Sequence, residues 1–245
     1  MRIISGKNPV KEVIKAQKAV KIYISKNLKN KDKKEIENLA DRFNIKKIYV
    51  KDNEIDKISE TRVHQGVAVE AKDFEYSSLE DSIKLAEKKG EKPLFVILDQ
   101  ITDVNNLGSI IRSAECAGVH GVLIPKHRSA QINETVAKTS AGALEFVNII
   151  QVTNINTTIK DLKEKGFWIY GTDMNGDKYY YEEKFETPVA LVIGSEGKGI
   201  SRLVKENCDI ILEIPMKGKI NSLNASNAAS ILMFEVMKKR NENES

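Results

Sequence analysis

The chain has few of the residues that build disulfide-linked or metal-held frameworks. Its 245 residues include two cysteines and three histidines. Cys116 falls inside a predicted helix and Cys208 just before a predicted strand, so neither a disulfide framework nor a zinc-ligand spacing is present. The histidines are too scattered to predict a metal site: His64, His120 and His127. We expect neither a disulfide scaffold nor a metal centre.

Long apolar runs are also missing from the sequence. No segment approaches the roughly 18 consecutive apolar residues needed to cross a membrane. The first residues show no basic segment followed by an apolar one, which is the pattern of a secretory signal. Together with the low cysteine content, these absences predict a protein that works in a reducing, cytoplasmic compartment.

Charge is plentiful but unevenly divided along the chain. The formal net charge is +4, yet residues 1–72 hold 18 Lys and Arg against 10 Asp and Glu, whereas the remainder holds 21 against 25. A basic portion joined to a slightly acidic one predicts a module that binds a polyanion, of which nucleic acid is the commonest. A lysine-rich surface kept for solubility is the alternative that charge alone leaves open.

Hydropathy patterns predict a compact α/β unit in the first 72 residues and a polar, charged connector over residues 73–92. From residue 93 onward, short apolar strands alternate regularly with helices, which predicts a mostly parallel sheet covered on both faces. The expected strands of this part span residues 94–98, 122–124, 147–152, 167–170, 189–193 and 210–214. We therefore predict two domains, 1–72 and 93–245.

Three Gly/Asn/Ser-rich blocks each follow a predicted strand and precede a predicted helix. They span residues 103–112, 194–200 and 214–227. Open α/β sheets bind their ligands at such strand ends. The second block, GSEGKGI, has neither the spacing of a phosphate-binding P-loop nor that of a G-x-S-x-G nucleophile elbow.

Taken together, the three blocks resemble the motifs of the SpoU (TrmH) family of RNA ribose 2′-O-methyltransferases, in the same order. The segments SGKNPV at residues 5–10 and HQGVA at residues 64–68 resemble the substrate-binding domain of one branch of that family. The resemblance implies a trefoil-knotted, SPOUT-type catalytic domain with a mostly parallel sheet, preceded by a small α/β RNA-binding domain. At Val104 the chain departs from the proline that is frequent in the first motif.

The resemblance also implies an activity. Members transfer a methyl group from S-adenosylmethionine to RNA, and this branch implies a guanosine of 23S ribosomal RNA as the acceptor and a homodimer as the working form. A transfer-RNA ribose methyltransferase and a noncatalytic RNA-binding factor of ribosome assembly are the alternatives.

Residues for binding the methyl donor follow from the motifs. The positions implied are Gly194 in the second block and Ile214 and Leu223 around the third, with Thr172 and Gly171 as further walls. Glycine would let the backbone approach a ligand, and the apolar residues would offer a surface to adenine. Taken individually, the same residues could simply end strands and fill the core.

Five further residues match the catalytic positions of the motifs: Asn106, Arg112, Glu196, Ser222 and Asn224. Local alternatives exist, because Asn105, Asn106, Ser222 or Asn224 could cap a helix, and Arg112 and Glu196 could be ordinary surface charges. A guanidinium is a poor base, so we expect Arg112 to bind phosphate and stabilise the developing alkoxide. The acceptor of the ribose proton is left open.

Overall fold

The computed structural model describes residues 1–59, 63–219 and 222–243. The chain divides into two compact units. The first comprises Met1–Glu75 together with Ile132–Phe146, and the second comprises Tyr76–Gln131 and Val147–Ser245.

The first unit is a four-stranded sheet with helices. Strands β2 and β3 are parallel, and β4 pairs antiparallel with both β1 and β2, which gives the order β1-β4-β2-β3. Its elements are β1 (Arg2–Ser5), α1 (Lys7–Lys15), β2 (Ala19–Ser25), α2 (Asn30–Arg42), β3 (Lys46–Val50), α3 (Asp52–Ile58) and β4 (Val67–Ala71), with α6 (Glu134–Thr139) and a 3₁₀ turn (Ala143–Glu145) contributed by the later segment.

A buried ion pair joins the two segments of the first unit. Arg2 donates from Nη2 to both carboxylate oxygens of Glu145, at 2.7 and 2.8 Å, and from Nε to the carbonyl of Lys72. The Glu145 side chain is 1% exposed. Because a charge at that depth needs a partner, the pair fixes residues 132–146 against the N-terminal strand.

We predict that Arg2→Met lowers the local stability of the first unit by about 3 kcal/mol, since it leaves most of the Glu145 charge buried without its main partner. Lys15→Met is the matched control, because the pair of Lys15 with Glu12 is half exposed and should contribute well under 1 kcal/mol. Hydrogen exchange of the β4 amides measures both effects. Equal protection in the two variants would contradict the buried-pair argument.

The second unit contains a seven-stranded sheet in the order β7-β6-β5-β10-β8-β11-β9, in which every pairing is parallel. Its elements are α4 (Leu79–Lys89), β5 (Leu94–Asp99), α5 (Val104–Cys116), β6 (Gly121–Pro125), β7 (Ile149–Val152), α7 (Ile155–Glu164), β8 (Trp168–Thr172), β9 (Lys178–Tyr179), β10 (Val189–Gly194), α8 (Arg202–Asn207), β11 (Ile210–Glu213) and α9 (Ala225–Asn243). All six residues of β5 are buried, as expected for a central strand covered on both faces.

The strand order places a switch point at the centre of this sheet. From β5 the chain moves outward through β6 and β7, and it then returns to the other side of β5 to form β8, β10 and β11. Such a reversal opens a crevice at the carboxyl ends of the strands. The three sequence blocks follow β5, β10 and β11, so all three lie at this edge.

Candidate active site

The first block opens helix α5 with a cap that differs from those considered above. Asp103 caps the helix: its Oδ1 accepts hydrogen bonds from the backbone N–H groups of Asn105 and Asn106, at 2.7 and 2.8 Å. The interpretation of Asn105 or Asn106 as the cap is therefore wrong. Since an aspartate satisfies the helix terminus, the Asn106 side chain is released for other contacts.

The second block forms a closed turn. Ser195 and Gly199 exchange two backbone hydrogen bonds, at 3.1 and 2.9 Å, and Gly197 and Gly199 adopt φ angles of 78° and 65°. These positive φ values are readily reached only by glycine. The turn therefore projects Glu196 from a backbone whose shape is set by its glycines.

Gly194, just before this turn, packs against the turn itself. A Cβ at Gly194 would overlap the backbone of Gly199 and the amide nitrogen of Ile200. Close approach of a ligand is the reason that the sequence suggests for this glycine, but contact within the protein already requires it.

We therefore predict that Gly194→Ala opens the turn and weakens donor binding by about tenfold or more, because neighbouring backbone cannot yield as a flexible side chain can. Gly90→Ala is the control, since a Cβ at Gly90 meets no atom within 4 Å, although its φ of 70° adds strain of its own. Calorimetric titration with S-adenosylhomocysteine measures the effect. Unchanged affinity in a folded Gly194→Ala variant would remove the turn from the donor site.

The side chains of Asn106, Glu196 and Asn224 come together from three separate blocks. Glu196 Oε1 accepts hydrogen bonds from the Nδ2 groups of Asn106, at 3.0 Å, and Asn224, and from the backbone N–H of Ala225, at 3.3 Å. Asn224 also donates from Nδ2 to Asn106 Oδ1 at 2.8 Å. One carboxylate thus links residues that are 90 and 28 positions away in sequence.

Asn224 has two functions at once. Its Oδ1 accepts from the backbone N–H and the hydroxyl of Ser226, at 2.9 and 2.6 Å, and so holds the first turn of α9. Its Nδ2 is the group that reaches Glu196 and Asn106. The capping interpretation is therefore correct for Asn224, but it leaves the amide nitrogen for the cluster.

A cleft of about 290 Å³ lies beside the cluster. Four of the five residues expected to bind the donor line it, namely Thr172, Gly194, Ile214 and Leu223, as do Glu196 and Ser222. Gly171 does not line it. A Cβ at Gly171 would meet Ile200, Cys208 and Ile211, so this glycine serves close packing behind the wall.

Two expected catalytic residues stay outside the hydrogen-bonded cluster: Ser222, which lines the cleft, and Arg112. Arg112 lies six residues beyond Asn106 on α5, about 9 Å further along the helix axis, and is exposed. Within the described residues it has no hydrogen-bond or ion-pair partner. Its guanidinium is accordingly available to a substrate. Asn221, another polar residue of the third block, lies outside the described residues.

Sequence reasoning missed part of the wall that follows β8. Asp173 and Met174 line the cleft, and Met216 lines it from the third block. Asp173 is tied to Lys205 at 2.8 Å. Burial disfavours the charged carboxylate, but the bonds from Lys205 and from the Asn175 backbone N–H outweigh burial and lower the pKa of Asp173. The position of Asp173 directly after a parallel strand could have suggested it.

The described ranges contain neither a membrane-spanning helix nor a metal-binding cluster. None of the helices there is long and apolar enough to span a bilayer. No group of three or more His, Cys, Asp or Glu side chains within the same ranges is placed to hold a metal ion.

Comparison with protein families gives two matches that together cover most of the chain. Residues 93–234 match the SpoU rRNA Methylase family, and residues 3–77 match the family described as RNA 2′-O ribose methyltransferase substrate binding. YacO of Bacillus subtilis, assigned to the TrmH family of tRNA/rRNA methyltransferases, is 44% identical over 239 residues, which cover 97% of this chain and 96% of YacO. A Staphylococcus saprophyticus protein assigned to the same family is 42% identical over 240 residues, covering 98% and 96%.

Solved structures show the same fold. The SpoU methyltransferase AviRb from Streptomyces viridochromogenes, crystallised with AdoMet, has a TM-score of 0.80 at 23% identity, covering 98% of this chain and 90% of AviRb. The A. aeolicus TrmH/SpoU tRNA modifying enzyme has a TM-score of 0.57 at 29% identity, covering 68% and 86%. The predicted SPOUT-type α/β fold with a small N-terminal unit is confirmed. The chain belongs to the SpoU (TrmH) family of S-adenosylmethionine-dependent RNA methyltransferases.

Proposed function

We propose that the protein methylates the ribose 2′-hydroxyl of a guanosine in 23S ribosomal RNA. The observation that carries the proposal is the cluster of Asn106, Glu196 and Asn224 beside an apolar-walled cleft. The match of residues 3–77 to a 2′-O ribose methyltransferase substrate-binding family supports ribose as the acceptor. In this proposal residues 1–72 bind the RNA, residues 73–92 link the two domains, and residues 93–245 transfer the methyl group. The protein would work in the cytoplasm.

The chemistry of the cleft fits S-adenosylmethionine. Ile214 and Leu223 offer an apolar surface for an adenine ring, and the turn after Gly194 brings backbone groups to the same cleft. Its volume is near the lower end for small-molecule sites. We assign Gly194, Ile214, Leu223 and Thr172 to binding the donor, with Gly171 supporting Thr172 from behind. When bound, the donor supplies an electrophilic methyl group on a sulfonium sulfur.

The acceptor side of the site requires groups that bind phosphate and stabilise negative charge. A guanidinium remains protonated under all ordinary conditions. We therefore assign Arg112 to bind the RNA phosphate and to stabilise the 2′-oxygen as its proton leaves. The Asn106 amide, which Asn224 holds in place, orients the ribose, and the Ser222 hydroxyl adds a further polar contact at the cleft wall.

Glu196 organises these groups. Its Oε1 is occupied by the two amides and the Ala225 N–H, whereas Oε2 has no hydrogen-bond partner among the described residues. Oε2 is thus the oxygen that can accept a hydrogen bond from an RNA hydroxyl. The carboxylate would hold both amides and contact the ribose in one arrangement.

Transfer RNA is the second candidate acceptor, because relatives carry the joint name tRNA/rRNA methyltransferase. Ribosomal RNA is favoured by the N-terminal unit. The A. aeolicus tRNA modifying enzyme matches only 68% of this chain, whereas an rRNA methyltransferase from Sinorhizobium meliloti matches 97% of it.

A homodimer is the proposed working form. In the second unit the side chains of Leu203 on α8 and Phe234 on α9 are 55% and 40% exposed, and contact with a second copy would remove such apolar groups from water. Light scattering coupled to size exclusion should give twice the 27.5 kDa chain mass. A monomer at micromolar concentration would contradict this assignment.

The acceptor is identified by incubating the enzyme and labelled S-adenosylmethionine with unmodified 23S rRNA and with unfractionated unmodified tRNA. We expect label at a single guanosine of 23S rRNA, located by mass spectrometry of nuclease fragments. Label confined to tRNA would transfer the assignment to the second candidate. The absence of label from both RNAs would reject the proposed function.

A further inference from the structure

Most of the positive charge near the start of the chain is neutralised within the first unit. Along α1, Lys7 pairs with Asp32 at 2.5 Å, Lys11 with Glu35 at 2.6 Å and Lys15 with Glu12 at 2.8 Å. Elsewhere in the unit, Lys18, Lys21 and Lys47 pair with Glu145, Glu70 and Asp41. Because a carboxylate lies beside each of these α1 lysines, the α1 face carries little net positive charge and is a poor polyanion surface.

The densest group of unpaired lysines among the described residues of the first unit lies in one stretch. Residues 26–34, here called the basic segment, read KNLKNKDKK and hold five lysines: Lys26, Lys29, Lys31, Lys33 and Lys34. In the part of the chain that the structure describes, none of the five has an ion-pair partner. The only acidic residue of the segment, Asp32, is engaged by Lys7 from α1, and this contact lowers its pKa.

The basic segment is also presented to solvent. It forms the connection from β2 to α2 and the first turns of α2, and Lys26, Lys29, Lys31 and Lys34 are all exposed. The fifth lysine, Lys33, places its ammonium 5.0 Å from the ring centre of Tyr49, a tyrosine that is 43% exposed. Exposed cations beside an aromatic ring are the combination that binds a nucleic-acid backbone and an unstacked base.

We propose that the basic segment is the surface of the first unit that binds the phosphate backbone of the substrate RNA, and that the lysines of α1 are not. The nature of the partner rests on the proposed function, whereas the location rests on the ion pairs and exposure given above. The segment supplies phosphate contacts without base readout, because ammonium groups act as point charges.

The test compares two triple variants with equal loss of charge. Lys29→Gln/Lys31→Gln/Lys34→Gln removes three exposed cations of the basic segment. Lys84→Gln/Lys88→Gln/Lys89→Gln removes three exposed cations of α4, in the second unit. Binding to a 23S rRNA transcript is measured by filter retention over a range of KCl concentrations, with thermal unfolding and S-adenosylhomocysteine titration as checks of fold and donor site.

We expect the basic-segment variant to bind the transcript about tenfold or more weakly at 0.1 M salt. Its log–log salt slope should become shallower by about 2 to 3, the value for three lost phosphate contacts. The α4 variant should bind nearly as the unmodified enzyme does, and donor affinity should be unchanged in both. Equal binding by the two variants, or an equal loss in both, would overturn the assignment.

Failure of the proposed function is a separate outcome. It would appear as an unmodified enzyme that transfers no methyl group to any RNA, whatever the two triple variants do in the binding assay. Loss of binding specific to the basic-segment variant would in that case still locate the RNA-binding surface.

Discussion

Arg112→Ala should slow methyl transfer by about a hundredfold to a thousandfold under single-turnover conditions, while affinity for S-adenosylhomocysteine stays near normal. The reason is that different residues are proposed to bind the methyl donor and the RNA. Four of the residues proposed to bind the donor line the cleft, whereas Arg112 is exposed on α5 and has no partner within the described residues. Removing the Arg112 side chain should therefore remove only its interactions with the RNA and with the negative charge that develops on the 2′-oxygen.

Two further variants test this prediction. Arg112→Lys keeps the charge but loses the planar, two-pronged geometry, so it should restore little of the rate. Arg202→Ala is the control, because Arg202 is an arginine of the same unit with an 85% exposed side chain. Near-normal single-turnover transfer by Arg112→Ala would remove this residue from the catalytic group.

Glu196→Ala should also slow transfer by about a hundredfold, for a different reason. Without the carboxylate, the amides of Asn106 and Asn224 lose the acceptor that holds them together. Glu196→Gln retains an acceptor oxygen and should recover part of the rate, whereas Glu206→Ala, an exposed change on α8, should have no effect. If the Ala variant matched the unmodified enzyme in single-turnover rate, the cluster would have no part in transfer.

Asn224→Asp separates the two functions of Asn224. Aspartate keeps the oxygen that caps α9 but replaces the amide nitrogen that reaches Glu196 with an oxygen, which repels the Glu196 carboxylate. We expect a loss of transfer comparable to that of Glu196→Ala, with only a small fall in thermal stability, because the cap is kept and negative charge is favourable at a helix N-terminus. A fall in stability with retained transfer would show that Asn224 serves only the helix.

Local sequence patterns are enough to predict most strands and helices of the second unit. Its central strands are continuous apolar runs, such as residues 94–98, and they alternate with amphipathic helices, so the hydropathy period and the segment length distinguish strands from helices. Two short strands, β1 of the first unit and β9 of the second, are not predicted this way. β9 has two residues, too few to show a period, and only two of the four residues of β1 are apolar. The knot came from the family resemblance alone, because hydropathy does not record which segment threads a loop.

The partners of individual residues were the least predictable feature. Residues 132–146 belong to the same unit as residues 1–75 because of contacts such as Arg2–Glu145, which join positions 143 apart in the sequence. An asparagine cap for α5 is a reasonable alternative from sequence, because Asn, Asp and Ser are similarly favoured there, and only the geometry selects Asp103. Likewise, the pattern of the second block indicates that Gly194 is important, but it does not reveal that Gly199 packs against Gly194.

The position of the methyl group on RNA tests the central claim most directly. Labelled methyl groups transferred by the unmodified enzyme and by Asn106→Ala should be followed through alkaline hydrolysis of the RNA. A methyl group on the 2′-oxygen blocks cleavage of the adjacent phosphodiester, so the label should remain in an alkali-stable dinucleotide, and Asn106→Ala should yield almost none. Label recovered in mononucleotides as a methylated base, or equal labelling by Asn106→Ala, would contradict ribose methylation at this site.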